Sequence, residues 1–66
     1  MRLTEQVRTF RCAIHKAGSF YATLAQAGLH ADPSNRARLL NCFPELAAQY
    51  GPRSSLYTRM YSFEEV

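Results

Sequence analysis

Two cysteines and two histidines are the residues of this chain whose side chains could hold a metal ion. Cys12 and His15 are three positions apart, which places them on one side of a helix, whereas His30 and Cys42 stand alone on later segments. Zinc modules pair their ligands in both halves of the site, and these spacings match no such module. We therefore expect no metal and no cofactor, and we expect both cysteines to be free thiols.

Cys12 and His15 also have the spacing of a nucleophile and its base. On an exposed helical face, however, no pocket would exclude water from the thiol, and a chain of 66 residues rarely encloses a substrate cleft. The sequence has no glycine-rich phosphate loop, and Asp32 lies in a turn sequence where aspartate caps a helix rather than acting as an acid. We expect no enzymatic activity.

Length and charge restrict the function further. Sixty-six residues form one domain, 1–66, and eight Lys and Arg against five Asp and Glu leave a net charge of +3. This mild excess permits an acidic protein partner or nucleic acid without demanding either. The longest apolar runs fall far short of the roughly 18 residues of a membrane span, and charges interrupt the first residues throughout, unlike a signal peptide. We expect a cytoplasmic protein that does not enter a membrane.

The elements that must position these residues are helices. The first apolar residues are spaced by four, three and four positions, which is one face of a helix over 3–17: Leu3, Val7, Phe10 and Ile14. The opposite face of that helix is basic and carries Arg8, Cys12 and His15, with Arg11 at its border.

Three more helices follow from capping and proline signals, over 19–29, 34–43 and 44–50. Ser34 or Asn35 can cap the third, the Phe43-Pro44 pair separates it from the fourth, and Gly51-Pro52 ends the fourth. The tail 53–66 fits a short helix capped by Ser54 or Ser55, a strand, or an irregular packed segment, and its last three residues are expected to fray.

The sequence thus predicts an all-α fold, a small compact bundle of three to four short helices with a packed C-terminal tail. Truncating Leu40 or Phe43 to Ala is expected to cost about 2–5 kcal/mol. The side chains expected in the core are Leu3, Val7, Phe10, Ile14, Phe20, Leu24, Leu39, Leu40, Phe43, Leu46 and Tyr50.

Arg and Tyr are the residue types that dominate protein–protein interfaces, and this chain supplies them on the back of the first helix and in the tail. We therefore expect a helical adaptor or inhibitor that binds another protein. Its apolar content is large for so small an interior, so we also expect a homodimer. The predicted partner-binding residues are Arg8, Arg11, His15, Arg53, Tyr57, Arg59 and Tyr61.

DNA binding is the alternative. Residues 24–29 resemble the first helix and turn of a helix-turn-helix, although Leu24 stands where that motif has alanine and Asp32-Pro33 lengthens the turn. The residues that would read DNA open the next helix, and they are Ser34, Asn35, Arg36 and Arg38.

The segment from Asn35 to Gly51 resembles a run seen in small uncharacterised proteins of bacteriophages and other mobile elements. The resemblance rests on Asn35, Leu39, Phe43-Pro44-Glu45-Leu46 and Tyr50-Gly51 and covers about a quarter of the chain. It implies a phage-type origin, and hence a host or phage protein as the partner, and it brings no catalytic residues.

Overall fold

The computed structural model describes residues 1–62, which form five α-helices and no strand within that range. The all-helical prediction is confirmed, with five helices rather than three to four because the tail forms a helix of its own. Phe63 and the residues predicted to fray, 64–66, lie outside the described residues. The helices are α1 (Leu3–Lys16), α2 (Ser19–His30), α3 (Pro33–Cys42), α4 (Pro44–Tyr50) and α5 (Ser55–Tyr61).

Asp32 starts α3. Its Oδ1 atom accepts a hydrogen bond of 2.8 Å from the backbone N–H of Asn35, and Pro33 occupies the first helical position. The prediction that Ser34 or Asn35 caps this helix is therefore wrong by two or three residues, while the prediction that Asp32 acts as a cap is confirmed. Proline fits the first turn because its missing N–H has no partner there in any helix.

The joint between α3 and α4 lies where the sequence predicts it. Phe43 leaves helical geometry, with φ −126° and ψ 72°, and Pro44 opens α4. At the far end of α4 the N–H of Gly51 donates to the carbonyl oxygen of Ala47.

Ser54 connects the end of α4 to the start of α5. Its Oγ donates to the carbonyl oxygen of Gly51 at 2.7 Å and accepts from the N–H of Tyr57 at 3.2 Å. The predicted serine cap of the tail helix is thus confirmed, and the strand alternative is wrong for residues 55–61.

α1 is the central helix, because it packs against α2 along its length and also contacts α3, α4 and α5. It is therefore covered on more than one side, and the small and polar side chains of Gln6, Thr9 and Cys12 are buried together with Phe10. Among residues 1–62 the buried hydrophobic residues are Phe10, Cys12, Ala13, Ala25, Leu46, Tyr50, Tyr57 and Tyr61.

Several predicted core residues lie elsewhere. Phe10, Leu46 and Tyr50 are buried as predicted, but Leu3 is 57% exposed and Phe20 is 62% exposed. Both belong to the first turn of their helix, where the neighbouring helices do not cover them. The remaining predicted core residues are half-buried: Val7, Ile14, Leu24, Leu39, Leu40 and Phe43.

Candidate functional site

The outward side of α1 carries the first set of predicted contact residues. Arg11 and His15 are exposed and Arg8 is half-buried beside them. We call Arg8, Arg11 and His15 the α1 outer face. The three residues are spaced by three and four positions, so they follow one line along a helix whose other sides are packed.

Cys12 does not belong to this face. The sequence places it on the basic back of α1, but the structure buries it completely, because α4 and α5 pack against that side of the helix. Burial raises the pKa of the Cys12 thiol, although Lys16 acts in the opposite direction. Cys12 is therefore a protonated core residue and not an activated nucleophile, since the thiolate is the reactive form.

Arg8 and Tyr61 hold α5 against α1. The guanidinium carbon of Arg8 lies 4.9 Å from the centre of the Tyr61 ring, and the Tyr61 hydroxyl donates to the backbone carbonyl of Arg8 at 3.4 Å. Burial raises the pKa of Tyr61, against the opposing effect of the positive charges of Arg11 and Arg8. The Arg8 side chain is thus held in one orientation at the edge of the α1 outer face.

The tail residues divide into two groups. Tyr57 and Tyr61 are 7% and 8% exposed, and their ring centres are 5.0 Å apart. The assumption that these two rings are available to a partner is wrong, because a helix brings positions four apart to the same side and α5 turns that side inward. Arg53 and Arg59 are exposed, and Arg53 lines an open surface concavity that Met1 also lines.

The four residues of the DNA-binding alternative are also divided. Arg36 donates from Nε to the carbonyl oxygen of Gly28 at 2.9 Å and from Nη2 to that of Leu29 at 3.0 Å. Its side chain therefore caps the C-terminal end of α2, and it is not free to read a base. Ser34 and Asn35 are exposed with Arg38, which donates to Asn35 Oδ1 at 3.3 Å.

An exposed apolar surface, which was not predicted from the sequence, extends from α2 to α3 and the joint after it. The Phe20 ring stands edge-on to Tyr21, with ring centres 5.0 Å apart, and to Phe43, with ring centres 6.2 Å apart. Leu24 and Leu39 are half-buried beside them. We call Phe20, Leu24, Leu39 and Phe43 the Phe20 patch. One signal could have revealed it: residues 19–30 contain no Asp, Glu, Lys or Arg.

A hydrogen bond lies at the edge of this patch. The Tyr21 hydroxyl donates to Glu45 Oε2 at 2.6 Å and joins α2 to the first turn of α4. That bond raises the pKa of Tyr21 and lowers the pKa of Glu45, because it favours the neutral phenol and the ionised carboxylate.

Cys12 and Cys42 are free thiols, as predicted. Across residues 1–62, no three His, Cys, Asp or Glu side chains are grouped closely enough to hold a metal ion. None of the helices in that range combines the length and the hydropathy needed to cross a membrane.

No protein-family model, no curated protein and no solved structure matches this chain.

Proposed function

We propose that this chain is a small non-enzymatic helical module of phage type, an adaptor or inhibitor that binds an acidic surface of a host or phage protein in the cytoplasm. The observation that supports this proposal is the α1 outer face, where Arg11 and His15 are exposed beside the oriented Arg8. The phage-type origin is supported by the resemblance of the segment from Asn35 to Gly51.

A packed helix presents such residues with little loss of conformational freedom. α1 is fixed by four other helices, so its backbone has little conformational freedom left to lose when a partner binds. Arginine binds carboxylates through two parallel hydrogen bonds, and the net charge of +3 attracts an acidic surface at long range.

Capture from host lysate tests the proposal. Immobilised protein should retain one stoichiometric partner, the Arg11→Ala/His15→Ala variant should lose it, and raised salt should weaken it. Arg38→Ala is the matched control, because it removes an exposed cation from α3 and leaves α1 unchanged. Equal retention by the wild type and the Arg11→Ala/His15→Ala variant would exclude the α1 outer face as the contact surface.

DNA binding through α3 is the second candidate, supported by the exposure of Ser34, Asn35 and Arg38 at the start of that helix. A gel-shift titration separates it from protein binding, with Arg38→Ala as the diagnostic variant. Arg36→Ala is unsuitable, because Arg36 caps α2 and its removal disturbs the fold. Salt-sensitive binding that Arg38→Ala abolishes, together with no captured protein, would favour a DNA-binding regulator.

We also propose that two copies of the chain associate. Two observations support this proposal. Phe20 is exposed, and within residues 1–62 α3 has no fully buried side chain. A domain of this size buries only about 60% of its unfolded surface, and association is a common way to complete such a core. Light scattering at high micromolar concentration should give twice the mass of 7.5 kDa, and a monomer mass would refute self-association.

A further inference from the structure

We propose that the surface joining the two copies is the Phe20 patch, and that each copy contributes Arg38 to the Glu45 of the other. This inference rests on the self-association proposed above and assigns the face, the symmetry and the charge pair. It does not involve the α1 outer face, so partner binding and dimerisation can be tested separately.

The shape of the Phe20 patch supports contact between two copies. Two shallow concavities meet at the contact between the Phe20 and Phe43 rings. Phe20 lines the first with Thr23, Leu24 and Ala27, and Phe43 lines the second with Leu39. The exposed Phe20 ring therefore forms part of the wall of a hollow whose other apolar lining side chains, Leu24 and Ala27, are smaller. A twofold axis places the exposed ring of each copy over the hollow of the other, which is the self-complementarity that a symmetric interface requires.

The apolar side chains of the Phe20 patch are also incompletely covered by the rest of the protein. Phe20 is 62% exposed, and two further apolar side chains stay half-buried, Leu39 on α3 and Phe43 in the joint after it. Large aromatic and aliphatic side chains release the most free energy when they are removed from water. A neighbouring α2 without any Asp, Glu, Lys or Arg extends this surface without placing a charge on it.

The charges around the Phe20 patch favour a second copy of the chain as the protein that covers it. With a net charge of +3, two copies repel each other wherever their contact is basic. The Phe20 patch instead has one cation and one anion at its border: Arg38 lines the concavity of Phe43, and Glu45 is bonded to Tyr21, whose ring contacts Phe20. A twofold axis through the patch pairs Arg38 with Glu45 of the second copy twice.

Mixing two charge-reversal variants provides the test. Each pair joins position 38 of one copy to position 45 of the other. In a dimer of Arg38→Glu all four of these residues are negative, and in a dimer of Glu45→Arg all four are positive. Each variant alone should dimerise at least about tenfold more weakly than the wild type. An equimolar mixture restores one cation and one anion at both pairs, so it should form a heterodimer close to wild-type strength, measured by sedimentation equilibrium at two salt concentrations.

Two aspartate variants test the apolar part with a matched control. Phe20→Asp and Leu3→Asp each place an aspartate in the first turn of a helix at an exposed apolar position, where the helix dipole favours it. Phe20→Asp should give a monomer with unchanged helical circular dichroism, and Leu3→Asp should remain a dimer. Circular dichroism of all four variants identifies any that fail to fold.

The possible results separate the proposals. A dimer that survives both Phe20→Asp and Arg38→Glu refutes the Phe20 patch but leaves self-association in place. A wild-type monomer at high micromolar concentration refutes both. Restored dimerisation in the mixture supports the twofold arrangement directly, since a heterologous partner contributes nothing to that measurement. Capture of a lysate protein by the monomeric Phe20→Asp variant, and its loss when Arg11→Ala/His15→Ala is added, would show that the α1 outer face binds its partner without the dimer.

Discussion

Gly28 packs against the ring of Phe10, and a Cβ atom added to Gly28 would stand 2.6 Å from Cε1 of that ring. Gly28 lies in the last turn of α2, where its conformation is helical, although glycine weakens a helix relative to alanine. Its value is the space that it leaves for Phe10, which is completely buried between α1 and α2. The close approach of the two longest helices therefore depends on this glycine.

Gly28→Ala should lower the free energy of unfolding by about 1–3 kcal/mol, because the new methyl group overlaps the buried ring. The expected sign is opposite to that of helix propensity, which favours Ala over Gly by about 1 kcal/mol. Urea denaturation followed by circular dichroism measures the change.

Gly18→Ser is the control, since nothing lies within 4 Å of an added Cβ there and a serine hydroxyl can cap α2. It should raise stability by about 0.5–1 kcal/mol. A more stable Gly28→Ala protein would show that the Phe10 ring moves aside without cost.

Arg36→Ala should destabilise the protein by about 1–2 kcal/mol, because it leaves the carbonyl oxygens of Gly28 and Leu29 without their charged donor. Arg36→Lys should recover only part of the loss, since a single ammonium cannot reproduce the two-donor geometry of the guanidinium. At protein concentrations where the chain is monomeric, Arg38→Ala is expected to change stability by less than about 0.5 kcal/mol. Thermal and urea denaturation of the three variants give this ranking, and equal effects at both arginines would contradict the capping role.

The hydrogen bond between Tyr21 and Glu45 should make stability depend on pH at both ends of the scale. The lowered pKa of Glu45 means that its contribution is present above the ordinary glutamate value of about 4.3 and is lost as the pH falls through the folded-state value. The raised pKa of Tyr21 means that its contribution is complete below about 10 and is lost as the pH rises further.

Comparison with Tyr21→Phe isolates this effect. The wild type should be the more stable protein by a constant margin between about pH 5.5 and pH 9, and the margin should shrink on either side of that window. Thermal melts at half-unit pH steps measure it. A difference that does not change from pH 3 to pH 7 would show that the bond does not involve the ionised carboxylate.

Leu46→Ala should cost about 2–5 kcal/mol, because Leu46 is completely buried against α1 and its loss leaves a cavity. Leu40→Ala should cost less than about 2 kcal/mol, since Leu40 is half-buried and water can fill part of the vacated space. This order revises the expectation that the sequence alone gives for Leu40. Urea midpoints compare the two variants, provided that the dependence of the unfolding free energy on urea concentration is unchanged. A larger loss of stability in Leu40→Ala than in Leu46→Ala would contradict the observed burial.

Local signals were sufficient to predict the four helices α1 to α4, whereas the sequence left the tail open between a helix, a strand and an irregular segment. Pro44, the Gly51-Pro52 pair and Ser54 act on their immediate neighbours, so their effects can be read from sequence, and all three mark observed boundaries. The start of α3 differs because two adjacent residues, Asp32 and Pro33, together outcompete the later caps.

The surfaces were harder to predict because they depend on which helices meet. Cys12 is buried although it lies outside the apolar face of α1, since α4 and α5 cover the other side. Phe20 is apolar, yet it remains 62% exposed because the contact with the Phe43 ring covers only part of it. The role of Arg36 depends on its position opposite the end of α2, which no spacing along the chain encodes.

The contact between Arg8 and Tyr61 joins residues 53 positions apart, so it can form only late in the synthesis of the chain. On the ribosome, α1 and α2 emerge first and can pair at once, because their contacts are close in sequence. The side of α1 that carries Cys12 stays uncovered until α4 and α5 have also emerged. A nascent chain therefore carries a half-covered helical hairpin, and it completes its core only when Tyr61 leaves the exit tunnel.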